Sequence, residues 1–110
     1  MTTIITPLPR GAIGADTFDQ LGTRVIFGPA VGDEAASARA TAIQAANGAI
    51  VDDPTEESPH VELYLATGEL TPAAAEQLAH DLIAASDLAR AWELDAASAR
   101  HPAGRKRRQS

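Results

Sequence analysis

The chain has 110 residues, enough for one domain and not two, and 45% of them are apolar. It has no cysteine, which excludes a disulfide scaffold, a thiolate metal site and a cysteine nucleophile, and no apolar run approaches the ~20 residues that span a bilayer. Its net charge of −6 is uneven: four Arg stand against all fifteen carboxylates in residues 1–99 (−11), while residues 100–110 hold five Lys or Arg and no acid (+5), so the body repels a phosphate backbone and the tail attracts one.

Much of the apolar content is alanine, which buries little area. The large apolar residues are few, and each contributes roughly 1.5–3 kcal/mol when fully buried. Chain entropy cancels most of that gain. A second copy or another protein partner would relieve the shortage.

Residues 1–20 carry Pro7, Pro9, Gly11 and Gly14 and show neither helical nor strand periodicity. They read as a flexible arm, with Ile4, Ile5 or Phe18 as its possible anchors. The opening "MTTIITPLPRG" lacks a basic n-region and is interrupted by two prolines, so it does not read as a secretory signal, and a cytoplasmic location is expected. "TRVIF" (Thr23 to Phe27) is short, β-branched and aromatic, and "GPAVGD" follows it. This predicts a strand leaving through a turn.

Residues 34–48, "EAASARATAIQAANG", support two readings. As a helix, Ala36, Ala40, Ile43 and Ala46 share a face and Asn47-Gly48 is the stop signal. As strands, Arg39, Thr41 and Ile43 alternate with alanines, and Asn47-Gly48 forms a type I′ hairpin turn into "AIV". The hairpin is preferred. "DDPTEESP" is a polar, acidic loop. "HVELYLA" then alternates, with Val61, Leu63 and Leu65 on one side and His60, Glu62 and Tyr64 on the other, as in a half-buried strand.

"LTPAAAEQLAHDLIAASDLARAW" predicts a capped helix from Pro72, with Thr71 as N-cap and Leu70 positioned to staple Ala75. Leu78, Leu82, Ala85, Ala89 and Trp92 form its apolar stripe, and Ile83 and Leu94 stray from it. The helix can continue to about residue 99, and Pro102 makes an end at or before His101 the expected one. The fold class that follows is α+β: a small antiparallel sheet of three or four strands packed by one long C-terminal helix. The domain spans residues 21–99, and 100–110 form a disordered basic tail. A helix of about 42 Å overhangs a strand of about 23 Å. The first three turns are therefore expected on the sheet, meeting Val61, Leu63 and Leu65. The turns from Leu88 through Leu94 are expected beyond it.

The pattern "ATAIQAANGAIVDD", then "PHVELYL", then "ELTPAAAEQLAHDLIAASDLA" resembles a small domain family common in actinobacteria and their phages. The resemblance covers about residues 36–92. It implies strands closed by one helix and an accessory role. Some members carry Cys and His residues upstream; this chain has no Cys, so no metal role carries over. No catalytic residue of the family maps onto these positions.

Catalytic and metal signals are weak throughout. Glu76 and His80 have ligand spacing, but Asp87 lies about 10.5 Å further along the helix axis, too far to share one ion. Ser37, Ser58, Ser86 and Ser98 lack a His and acid arrangement. The glycines at 11–14 and 28–32 match neither phosphate-binding pattern. Asp52, Asp53, Glu56 and Glu57 are too few, and out of order, for an EF-hand. The reading is non-catalytic, with no cofactor, membrane or small-molecule substrate indicated. The leading expectation is an accessory or protein-interaction module binding through Leu88 and Trp92 on the distal helix face. Trp92 reads equally as an interface anchor and as the cap of an intramolecular core. The alternative is weak, sequence-nonspecific nucleic-acid binding through Arg100, Arg105, Lys106, Arg107 and Arg108.

Overall fold

The β-branched run at Thr23–Phe27 forms strand β2, which pairs antiparallel with the ten-residue strand β4 (Ala36–Ala45), placing Val25 opposite Ile43. The computed structural model describes residues 6–100 and, for Arg100, the backbone alone. A short β3 (Val31–Gly32) continues along the same side of β4. Phe27 faces Thr41 but Val31 faces Ala38, so the register slips by one residue. Pro29 and Ala30 thus stand opposite Arg39 in a bulge, where the missing N–H of proline breaks no ladder bond. On the other side of β4 lie β5 (Ile50–Val51) and β6 (His60–Leu65). The two-residue β1 (Gly14–Ala15) adds to the outer edge of β2. The result is an antiparallel sheet of several strands packed against one long helix.

The Asn47-Gly48 signal does make a hairpin, but not of type I′. Gly48 N–H donates to Ala45 O and Ala45 N–H to Ala49 O, and Gly48 has a φ of 94° while Asn47 does not enter the positive region. This is a three-residue loop with a glycine bulge. The Asn47 carboxamide accepts from Ala49 N–H and so serves as a turn brace.

The acidic loop between β5 and β6 is more ordered than its composition suggests. Asp53 caps a 3-10 turn at Pro54–Glu56 by accepting from the Thr55 N–H and hydroxyl. Ser58 is buried; its hydroxyl accepts from Ile43 N–H at 2.8 Å and donates to Val51 O at 2.6 Å. A side chain thereby completes the ladder where the strand is interrupted. The Ser58–Pro59 peptide is cis.

Helix α1 runs Pro72–Arg100, and Thr71 Oγ1 accepts from Ala74 N–H as its sequence position predicts. It packs mainly on β4. Ala36, Ala38, Ala40 and Ala42 from β4 and Ala85, Ala89 and Ala96 from α1 are all buried. Small residues on both surfaces let the helix backbone approach the sheet closely. Ile26 and Trp92, both fully buried, fill the remaining volume. The alanines discounted by area are the core itself. Among the described residues no helix is long and apolar enough to cross a membrane.

Two expectations are overturned. The distal turns of α1 do not overhang; Ala85 through Ala96 make the tightest contact, whereas Leu63 and Leu65 remain partly exposed. The cause is the N-terminal segment, which over residues 6–20 is not a loose arm. Ile13 N–H donates to Phe27 O and Asp16 N–H to Val25 O, so the segment extends the sheet under the far end of the helix. Ile4 and Ile5 lie outside the described residues. Phe18 is half-buried beneath the Arg24 guanidinium, 4.5 Å away.

Ser58→Ala should destabilise the fold by about 1–3 kcal/mol, because it leaves Ile43 N–H buried without an acceptor; a urea melt followed by Trp92 fluorescence reads the change. Asp19 accepts from Thr23 N–H, its hydroxyl and Leu21 N–H, which hold its carboxyl below the usual range. Its contribution is present above the ordinary carboxylate pKa and is lost as pH falls through the lowered value. In an NMR titration the Thr23 and Leu21 amide shifts should therefore move with a midpoint below 3.8.

Candidate protein-interaction surface

Neither residue expected to form the contact patch is available as one. Trp92 is fully enclosed, and its indole N–H donates to Arg10 O at 2.9 Å. The segment around Arg10 closes over the ring, and Arg10 itself pairs with Asp95 at 3.1 Å on the surface. Leu88 is half-buried, its methyls seated on Gly11 and Gly28. A Cβ at either glycine would come within 2.4–2.5 Å of a Leu88 methyl, so the absence of a side chain makes the seat. Of the two readings of Trp92, the geometry is that of the core cap. The side chain of Arg100 and all of Arg105, Lys106, Arg107 and Arg108 lie outside the described residues.

Glu76, His80 and Asp87 are all exposed on the outer side of α1. Among the described residues no group of three His, Asp or Glu is placed to hold a metal ion. A cavity of about 50 Å³ lies where α1 starts beside the β3–β4 turn and is lined by Asp33, Leu70, Gln77, Leu78 and Asp81. It has room for a few waters and not for a substrate. The Asp81 carboxylate there is buried and accepts from the Gln77 carboxamide.

The exposed apolar surface lies instead along β6. This strand pairs with β4 alone among the described residues. Ala66 N–H donates to Ala35 O, which fixes the alternation: the backbone groups of His60, Glu62 and Tyr64 point towards β4, and those of Val61, Leu63 and Leu65 point to the open edge. The side chains of Leu63 and Leu65 lie on the helix-facing side and are 47% and 41% exposed. Leu82, Ile83, Ser86, Asp87 and Arg90 line a shallow groove on the exposed flank of α1. At 100° per residue, Leu82 and Ser86 fall on the side of the stripe opposite Leu88, hence towards β6. Ile83, seven residues on from Glu76 and so on the same outer side, is 59% exposed.

The opposite face of β6 is polar and locally paired. Arg39 bridges to Glu62 at 2.8 Å and covers the Phe27 ring, and the Thr41 hydroxyl hydrogen-bonds the His60 imidazole. The exposed ion pair contributes little stability by itself, but it leaves Glu62 already neutralised. The alternation of "HVELYL" was legible in the sequence; that this strand is an edge was not, because strand order depends on pairing between distant segments. No protein-family model matches the chain, and neither does any curated protein or any solved structure.

Proposed function

We propose that the chain is a non-catalytic protein-interaction module that engages its partner along the β6 edge. The observation that supports this is a strand edge, unpaired among the described residues, that carries the partly exposed Leu63 and Leu65. An open edge offers main-chain hydrogen bonds, and alternate side chains beside it supply apolar contact, which is how an added strand is recognised. Natural edges are commonly blunted by charge, proline or a covering element. Here the outward-facing positions are Val61, Leu63 and Leu65, all apolar. This surface replaces the distal helix patch, which the N-terminal segment occupies.

The second reading is weak nucleic-acid binding through the tail, favoured by the +5 charge of residues 100–110 against an acidic body. One experiment separates the two. Cell extract is passed over the full chain, Leu65→Lys and a chain lacking residues 101–110. Edge binding predicts proteins retained by the full and shortened chains and lost with Leu65→Lys. Tail binding predicts nuclease-sensitive retention that is lost on shortening and unaffected by Leu65→Lys. Retention indifferent to Leu65→Lys overturns the edge reading.

A further inference from the structure

We infer that the occupant of the β6 edge is a second copy of the same chain, joined about a two-fold axis at Leu63. This rests on the edge reading above and names its partner. In an antiparallel pair, residues whose backbone groups face the shared edge stand opposite one another. Val61, Leu63 and Leu65 are those residues, and they are evenly spaced about Leu63. Two copies therefore meet with Leu63 against Leu63, Val61 against Leu65, and Glu62 against Tyr64. No like charges oppose each other, and the one carboxylate in the strand, that of Glu62, is held by Arg39 of its own chain. A strand sequence such as this is its own complement.

The helices fit the same arrangement. The two-fold axis runs through the sheet, so both copies of α1 lie on one face. If each helix sits over its β4, three strand spacings of about 4.8 Å separate them, roughly 14 Å. Direct helix packing needs about 8–10 Å. The gap is a channel floored by four leucines, Leu63 and Leu65 from each copy, and walled by Leu82 and Ser86. A strand edge of six residues is too small for a stable interface, which buries about 1,200–2,000 Å² in total; the leucines that meet across the axis on the helix-facing side add apolar area to it. The combined sheet then has β6 at its centre and β1 at both ends.

The test is sedimentation equilibrium of the purified full chain, with Leu63→Lys as the edge variant. Leu63→Lys sets two ammonium groups across the axis, where directly opposed like charges destabilise pairing. The expected result is a monomer–dimer equilibrium weakened about tenfold or more by Leu63→Lys, with helical circular dichroism and the emission of the buried Trp92 unchanged. A second measurement is independent of that variant's folding. The chain has no cysteine, so Leu63→Cys provides a single thiol whose mate lies about 5.5 Å away between Cα atoms. A short bismaleimide should cross-link it efficiently and should leave Leu94→Cys, on the outer side of α1, uncoupled. A full chain that remains monomeric at concentrations on the order of 100 µM overturns the second copy as occupant. The edge reading is then judged separately by retention from extract. A dimer that is unaffected by Leu63→Lys and cross-links equally at residue 94 also overturns the inference.

Discussion

The close approach of α1 to β4 is the constraint from which the rest of the architecture follows. Four alanines on one face of the strand meet three on the helix. Such a contact gains from density and not from side-chain area: many atom pairs come within van der Waals range although each residue is small. It also consumes little volume, so the larger apolar residues are not all needed inside. Trp92 and Ile26 fill the centre, and several leucines and Ile83 are left at the periphery.

This distribution explains what could be read from the sequence and what could not. "TRVIF", "HVELYL" and the Thr71-Pro72 helix start are local signals, and each produced its element at the expected residues. The Asn47-Gly48 pair announced a turn whose type was then set by the strands it joins. The N-terminal segment carried no periodicity because it is held by backbone hydrogen bonds to β2 and by the hydrogen bond from Trp92 to Arg10, which leave no pattern in side-chain type. The placement of Trp92 depended on that segment, so the indole could be located on the helix stripe but not assigned a neighbour. Ser58 was equally opaque: a serine in a polar loop gives no sign that its hydroxyl stands in for a strand residue.

The candidate surface follows from the same geometry. Because β4 is paired on both sides and β1 covers part of one flank, the opposite flank ends at β6. The helix packs its small-residue stripe mainly on β4, leaving Leu63 and Leu65 partly uncovered. An apolar strand edge with Leu82 on the neighbouring helix flank is a different feature from a scattering of exposed leucines such as Leu8 and Leu94. Val61, Leu63 and Leu65 lie on one side of one strand, and their main-chain groups face an edge that is unpaired among the described residues.

The hydrogen bond from the Trp92 indole to the carbonyl of Arg10 joins segments 82 positions apart in the chain. The hairpin of β2 and β4 needs only neighbouring sequence, and β6 can add to it as soon as it is made. The segment preceding β2 has no such independence, since the ring it covers belongs to the last element. On a chain emerging from the ribosome, residues 6–13 lack this covering partner until α1 has left the exit tunnel. The segment at residues 6–13 and the helix are thereby obliged to order together, and that early segment is among the last parts of the domain to reach its final place.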